Sequence, residues 1–349
     1  MNQELPSIEE WEKLYEIASR YKELSPWDLM WDSDVFGVQN PESGEIGYCC
    51  VLGRAGMEYG FLVYLGIEGL KAYLKTQSMK FHPDDMDSLD SLHIQKCLNL
   101  SFEDRNHLTK KDIKLIKTIG LKFKGSRSYP FFRSFEPGYF PWYLTREEVK
   151  YLTIALQQTI GVCNRFKENP QMMKPPSPNK YFVRTVKKEG DSLIWNDEWI
   201  EPSIKGTVEI VDSHIDKEYI EEIKKKVSMH SQTWESDVFY SPFQIAEKNK
   251  RPYFPYMFLW VDNESGFILN HYIVEPTKQY SSEFIKQFLN LIQDIKIMPE
   301  RILVRKPDIF VLLQPFASAF GIKLEITKEL EMVKEARLHM TEFFKKKQR

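Results

Sequence analysis

The sequence predicts an α+β N-terminal domain, built from an antiparallel meander and helices, followed by an α/β C-terminal domain with a mixed sheet. Short β-branched and aromatic runs separated by turn sequences fill residues 35–65, which predicts the meander. Four prolines interrupt the apolar periodicity between Asn169 and Asn179. After Met257, each short strand-like run is followed by a helix long enough to return the chain to a parallel neighbour. The predicted bounds are residues 1–168, a proline-rich linker at 169–179, and residues 180–349.

Composition excludes several classes of protein. The chain has 349 residues, of which 42% are hydrophobic and 28% are charged, as in ordinary soluble globular proteins. Lysine and arginine total 48 against 50 acidic residues, which argues against a uniformly basic nucleic-acid binder. No apolar run approaches the roughly 18 residues of a membrane span, and residues 1–10 lack the pattern of a signal peptide. We therefore expect a cytoplasmic protein with no membrane contact.

The cysteines and histidines are the residues to test first as metal ligands. The four cysteines show no CxxC spacing and the seven histidines show no HExxH spacing, so neither a zinc site nor a disulfide framework is indicated. We expect reduced thiols, no metal and no cofactor.

Capping residues and apolar periodicity predict the elements of the first 80 residues. Ser7 and Glu10 form a capping box, which predicts a helix to about residue 22. The β runs that follow lie at residues 35–38, 45–52 and 60–65, and a short helix is predicted at 67–74.

An acidic surface loop at 82–90 and a strand at 95–102 come next in the N-terminal domain. Thr109 predicts the start of a helix. Thr145 and Glu148 form a second capping box, and the apolar stripe behind it predicts a helix that ends at Gly161.

The C-terminal domain opens with a predicted hairpin at 181–195, a strand at 207–211 and an exposed helix at 216–227. A second hairpin at 257–274 surrounds the turn Asp262-Asn263-Glu264-Ser265-Gly266. A helix after Ser281, a strand at 301–304, a helix from Pro307 to Phe320, a strand at 322–326 and a final helix capped by Thr327 complete the chain.

This order of elements resembles the ribonuclease H-like fold of integrase and transposase cores, over residues 257–344. The resemblance rests on the layout and on the run Pro299-Glu300-Arg301-Ile302-Leu303-Val304, which leads into a helix and then into Gly321-Ile322. It implies carboxylates at strand ends and on the last helix, where nucleases of this fold hold two magnesium ions.

The acids that could serve such a magnesium site are few. Asp212 or Asp262 could supply the first carboxylate, and Glu331 or Glu335 the one on the last helix. The middle position reads Arg305-Lys306-Pro307, and a lysine there repels a divalent cation. We therefore predict no catalytic residues and a degenerate acidic site, with a magnesium-dependent nuclease as the alternative.

A second candidate surface lies between Leu121 and Leu144, where basic and aromatic residues are interleaved. Such a pattern is typical of grooves for single-stranded nucleic acid or of a partner surface. Its members are Lys122, Lys124, Arg127, Arg133, Tyr139 and Trp142. The interpretation we prefer is an irregular, ring-filled loop that covers a core, because rings outnumber charges.

A short echo links the two halves of the chain. Trp31-Asp32-Ser33-Asp34-Val35-Phe36 matches Trp234-Glu235-Ser236-Asp237-Val238-Phe239. The two copies do not belong to a regular repeat. Two interpretations are open: a similar entry into a strand used twice, or coincidence.

The chain as a whole resembles an uncharacterised bacterial family in which two domains of unknown function are joined. The residues that carry this resemblance are the run from Gly44 to Gly53 and Val63-Tyr64-Leu65-Gly66. It implies an organisation and no activity. We predict a non-catalytic cytoplasmic protein-interaction or scaffold protein with an unknown protein partner. A divergent ribonuclease H-like nuclease and a single-strand nucleic-acid binder are the alternatives.

Overall fold

A computed structural model describes residues 5–78, 90–91, 93–190, 192–203, 217–248, 250–276 and 280–347. Contacts divide the chain into two units. The first comprises Met1–Phe81, Ile94–Pro137 and Pro141–Ile204, and the second His82–His93, Gly138–Phe140 and Lys205–Arg349. The predicted strand at 207–211, Asp212, and the acidic loop at 82–90 apart from Asp90 lie outside the described residues.

The first unit consists of a sheet of seven strands with helices on both faces. Its elements are α1 (Ile8–Leu24), β1 (Phe36–Gln39), β2 (Ile46–Leu52), β3 (Gly60–Leu65), α2 (Gly66–Ser78), β4 (Cys97–Glu103), α3 (Lys110–Thr118), β5 (Tyr129–Phe135), α4 (Arg146–Glu168), β6 (Tyr181–Glu189) and β7 (Ser192–Ile200). Strands β1, β2 and β3 form the predicted antiparallel meander. Strands β4 and β5 extend it, and β1 also pairs with β6 in parallel.

Successive side chains along the strands of the first unit point to opposite faces of the sheet, and each face carries its own hydrophobic core. Cys49 of β2 packs with α1 and α4 on one face, whereas Tyr48 and Cys50 pack with α2 on the other. Gly47 is required by close packing, because a Cβ there would lie 2.1 Å from the Tyr151 hydroxyl of α4. This contact explains one glycine of the run from Gly44 to Gly53.

Three features of the first unit correct the sequence prediction. The segment at 169–179 lies inside the unit and is no domain boundary, because β6 continues the sheet beyond it. The region from Leu121 to Leu144 contains β5, whose Pro130 is tolerated because β5 is an edge strand. Helix α4 continues past Gly161 to Glu168, since its apolar contacts extend through Val162 and Cys163.

The second unit has a mixed sheet of five strands in the order β10-β9-β8-β11-β12. Its elements are α5 (Lys217–Lys226), β8 (Ser228–Tyr240), β9 (Tyr256–Asp262), β10 (Ile268–Val274), α6 (Tyr280–Ile295), β11 (Ile297–Val304), α7 (Pro307–Phe320), β12 (Lys323–Ile326) and α8 (Glu331–Lys347). Strands β8, β9 and β10 are antiparallel, and β8, β11 and β12 are parallel. This order confirms the predicted ribonuclease H-like α/β class.

The two faces of the second sheet carry different helices. Trp234 and Val238 of β8 pack in a core with α5, α6 and α7, whereas Phe239 packs with Leu330 and Val333 at the start of α8. Helix α7 ends at Gly321, which adopts the left-handed conformation with φ of 76°. Among the described residues, none of the helices is long and apolar enough to cross a membrane.

Two predicted bounds in the second unit are wrong. The ribonuclease H-like sheet does not begin at residue 257, because β8 precedes it and pairs with both β9 and β11. Helix α8 begins at Glu331, four residues after Thr327, whose hydroxyl donates to the Glu329 carbonyl.

Candidate functional site

A cluster of five charged side chains lies on the α8 face of the second sheet. Parallel pairing brings Val304 of β11 opposite Ser236 of β8, so the residues that follow Val304 lie near Asp237. Helix α8 crosses the same face and supplies an arginine. The members of the cluster are Asp90, Asp237, Arg305, Lys306 and Arg337.

The geometry of the cluster is that of a set of buried ion pairs. Lys306 Nζ lies 3.3 Å from Asp237 Oδ1 and 3.4 Å from Asp90 Oδ2. Arg337 Nη2 lies 2.9 Å from Asp90 Oδ1, and Arg337 Nη1 lies 3.7 Å from Asp237 Oδ2. Arg305 Nη2 is 3.6 Å from Asp237 Oδ2. Asp237 is only 2% exposed and Arg337 only 6%, so water screens these interactions weakly.

The cluster places three cations close to Asp237 at this edge of the sheet. Each of the three cations lies within 3.6 Å of at least one of the two carboxylates. Lys306 also donates to the Val238 carbonyl, and the Arg337 guanidinium lies 3.9 Å from the centre of the Phe239 ring. A divalent cation placed beside Asp237 would be repelled by these three charges.

Of the acids predicted from the sequence, the three that the structure describes, Asp262, Glu331 and Glu335, do not join this cluster. Asp262 ends β9, and its Oδ1 accepts hydrogen bonds from the Ser265 backbone N–H at 2.8 Å and from Ser265 Oγ at 2.6 Å, as in an Asx turn. Glu331 and Glu335 are exposed on α8. Over the described ranges, no group of three or more histidine, cysteine or acidic residues could hold a metal ion.

Sequence reasoning missed Asp237 and Glu235, although both lie in the echo that begins at Trp234. The six residues of this echo are all buried within β8, and such continuous burial is typical of a central strand. Glu235 accepts hydrogen bonds from Asn263 Nδ2 at 2.6 Å and from the Val333 N–H at 2.9 Å. It therefore joins the turn after β9 to the first turn of α8.

The six residues predicted as a partner surface separate into different environments. Arg133 is 6% exposed and forms a bidentate pair with Asp112, at 3.0 and 2.8 Å, so its guanidinium is engaged. Tyr139 belongs to the second unit, where its hydroxyl donates to Glu275 at 3.0 Å. Trp142 is 36% exposed and forms an isolated bridge with Ser134.

The three remaining residues of the predicted surface are exposed in the first unit. The Arg127 guanidinium donates to the Gly56 carbonyl at 3.2 Å. Lys122 and Lys124 line a groove of about 410 Å³, which we call the basic groove. Its apolar floor includes Ile113 and Ile116.

The basic groove carries positive charge without counter-ions. Its rim holds Arg105, Lys117, Lys122 and Lys124, all of them exposed. In the described part of the chain, none of these four forms an ion pair. The segment from Asp104 to Arg127 contains eight basic residues against two acidic ones, so the excess charge is local in a chain of net charge −2.

Similar chains among the solved structures include two described as the HTLV-2 integrase catalytic core domain in complex with magnesium, one in a dimeric and one in a trimeric form. Identity is 22% and 21%, the TM-scores are 0.22 and 0.23, and the matches cover 31% and 32% of this chain. This chain spans 66% of either integrase chain, just under two thirds. None of the curated proteins matches the sequence.

Comparison with protein families matches both halves of the chain. Residues 11–184 match the model described as Domain of unknown function (DUF7309), and residues 219–341 match Domain of unknown function (DUF6930). The first match falls within the first unit and the second within the second unit, apart from the short segments 82–93 and 138–140. The chain therefore joins a DUF7309 domain to a DUF6930 domain, two families whose function is unknown.

Proposed function

We propose that this is a non-catalytic binding protein whose basic groove receives an acidic, amphipathic segment of a partner protein. The observation that carries the proposal is the combination of four unpaired rim cations with an apolar floor in one groove of about 410 Å³. An amphipathic helix places apolar anchors on one face and charges beside them, which matches a groove of this composition.

The ion cluster of the second unit supports the non-catalytic part of the proposal. Asp237 already has Arg305, Lys306 and Arg337 as counter-ions, so no magnesium is needed to neutralise it. Breaking such a buried set would leave an uncompensated charge, which is costly. The ribonuclease H-like unit then serves as a scaffold.

The aromatic rings beside the groove favour a protein partner over single-stranded nucleic acid. Phe123 lies 6.1 Å from Tyr15 in a stacked arrangement and 5.6 Å from Tyr129 in an edge-on one, as measured between ring centres. The Tyr129 hydroxyl donates to the Phe123 carbonyl at 3.0 Å. Since these rings pack against each other, their faces are not free to stack on bases.

A fluorescence anisotropy titration tests the proposed partner class. The probe is a labelled amphipathic helix of about sixteen residues with leucines on one face and glutamates on the other. The double variant Lys122→Ala/Lys124→Ala should bind it about tenfold more weakly, because two rim charges are lost. Added salt should weaken binding to the unmodified protein.

The matched control removes two exposed lysines elsewhere in the first unit, Lys75→Ala/Lys174→Ala, and should bind the peptide as the unmodified protein does. A peptide with lysine in place of glutamate should not bind. Equal affinity of the groove variant and the control variant would overturn the proposal. If an oligothymidylate of equal charge binds more tightly than the peptide, the partner of the groove is nucleic acid and not a protein.

A further inference from the structure

A second cavity of the first unit shares no lining residue with the basic groove and has a different character. It has a volume of about 340 Å³, within the range of small-molecule sites. Its interior is lined by rings and aliphatic side chains of α1, α3 and β5, including Trp11, Leu115 and Phe132. Lys111 and Lys114 of α3 line it as well. We call this cavity the aromatic pocket.

Tyr15 contributes a phenol hydroxyl to the lining of the aromatic pocket. The side chain is 2% exposed, and its ring packs edge-on against Phe132 with 5.0 Å between centres. The Tyr15 hydroxyl has no hydrogen-bond partner among the described residues, and it retains contact with solvent. Burial raises the pKa of this phenol well above its ordinary value, so the hydroxyl keeps its proton and can donate it in a hydrogen bond.

The charged residues in the pocket lining, Asp112 and Arg133, pair with each other. Asp112 Oδ2 accepts from the Thr109 N–H at 2.9 Å, from Thr109 Oγ1 at 2.7 Å and from Arg133 Nη2 at 2.8 Å. Arg133 also donates to its own strand at the Phe132 carbonyl, at 2.7 Å.

The two lysines give the open side of the pocket a positive charge. Lys111 Nζ lies 3.8 Å from the centre of the Tyr143 ring, and the side chains of Lys111 and Lys114 are both exposed. Within the described ranges, neither lysine has a carboxylate partner. The pocket thus has an apolar body, a phenol hydroxyl in its lining and two cations on its exposed side.

We propose that the aromatic pocket binds a small aromatic carboxylate, with the carboxylate at Lys111 and Lys114 and a hydroxyl or carbonyl oxygen at the inner end accepting from Tyr15. The ring of the ligand replaces water among Trp11, Leu115 and Phe132. Charge complementarity at the exposed end selects an anion, and the apolar lining excludes a strongly hydrated one such as phosphate.

Isothermal titration calorimetry with a hydroxynaphthoate whose hydroxyl and carboxylate lie at opposite ends of the ring tests this site. The double variant Lys111→Ala/Lys114→Ala should bind the probe about tenfold more weakly, because it removes both charges. The uncharged carboxamide of the same ring should lose a similar factor with the unmodified protein. Lys110→Ala, on the same helix but outside the pocket lining, should leave the affinity unchanged.

Tyr15→Phe isolates the hydrogen bond and keeps the ring that packs on Phe132. It should weaken hydroxynaphthoate binding about fivefold and leave plain naphthoate, which has no hydroxyl, unaffected. Lys122→Ala/Lys124→Ala should not affect either probe, which separates this site from the basic groove. Absence of saturable binding, or equal affinity in all variants, would overturn the proposal.

Discussion

Asp112 and Arg133 are the most consequential pair of single residues in the first unit. Both are less than 10% exposed. Asp112 accepts from the Thr109 N–H at the start of α3, and both residues line the aromatic pocket. Burial opposes ionisation of Asp112, but hydrogen bonds from Arg133 and Thr109 outweigh it and hold the pKa of the carboxyl below its ordinary value. The ionised form therefore stabilises the folded state.

Asp112→Asn should lower the free energy of unfolding by about 3 kcal/mol at neutral pH, because Arg133 is left buried without a counter-charge. The native pKa is lowered, so the stabilisation is present above the unfolded value of about 3.9 and is lost as the pH falls below it. Urea unfolding at several pH values measures this. The difference between the two proteins should shrink below about pH 4, and Asp28→Asn, an exposed control, should differ little throughout.

At the scale of elements, helix starts are specified locally in this chain. Three helices begin with a reciprocal capping box: α1 at Ser7, α3 at Thr109 and α4 at Thr145. In α4 the capping glutamate, Glu148, also accepts from Ser134 Oγ at 2.6 Å, so the cap is tied to β5. A capping box is readable from the sequence because its two residues lie three positions apart.

Thr145→Ala should destabilise the first unit by about 1 kcal/mol, since it removes the acceptor for the Glu148 N–H. The matched control is Thr153→Ala in the same helix, whose hydroxyl donates to the Val149 carbonyl at 2.7 Å. Alanine is favourable in a helix interior, so this change should be nearly neutral. Equal losses for the two variants in urea unfolding would show that the cap contributes nothing specific.

At the scale of the whole molecule, the second unit is assembled from distant parts of the sequence. The pair Arg337–Asp90 joins residues 247 positions apart. Asp90 lies in the short segment His82–His93, which belongs to the second unit although the first unit surrounds it in sequence. Completion of the ion cluster therefore depends on the full chain.

Asp90→Asn in the full chain should destabilise the second unit by about 3 kcal/mol, because Lys306 and Arg337 are left to share Asp237. Hydrogen exchange of the β8 and β11 amides reports the loss as faster exchange. Asp294→Asn, an exposed aspartate of α6, is the control and should leave this exchange unaltered. If the β8 and β11 amides of Asp90→Asn are protected as in the unmodified protein, Asp90 does not contribute to the stability of the second unit.

The sequence by itself determined the features that depend on near neighbours. The capping boxes, the meander, the helix that ends at Gly321 and the α+β and α/β classes all follow from periodicity and short-range hydrogen bonds. The turn at Asp262 was also readable, because Asp-Asn-Glu-Ser-Gly is turn chemistry whatever surrounds it.

Only the tertiary structure decided which residues meet across the sheet. Because β6 pairs with β1 in parallel, residues 169–179 lie inside the first unit and are not a domain boundary. Because β8 pairs with β11, Asp237 lies beside Arg305 and Lys306. The same reason separates Arg133, buried against Asp112, from the exposed Lys122 and Lys124. Burial and charge pairing are properties of three-dimensional neighbours, and residues distant in sequence carry no local pattern that reveals them.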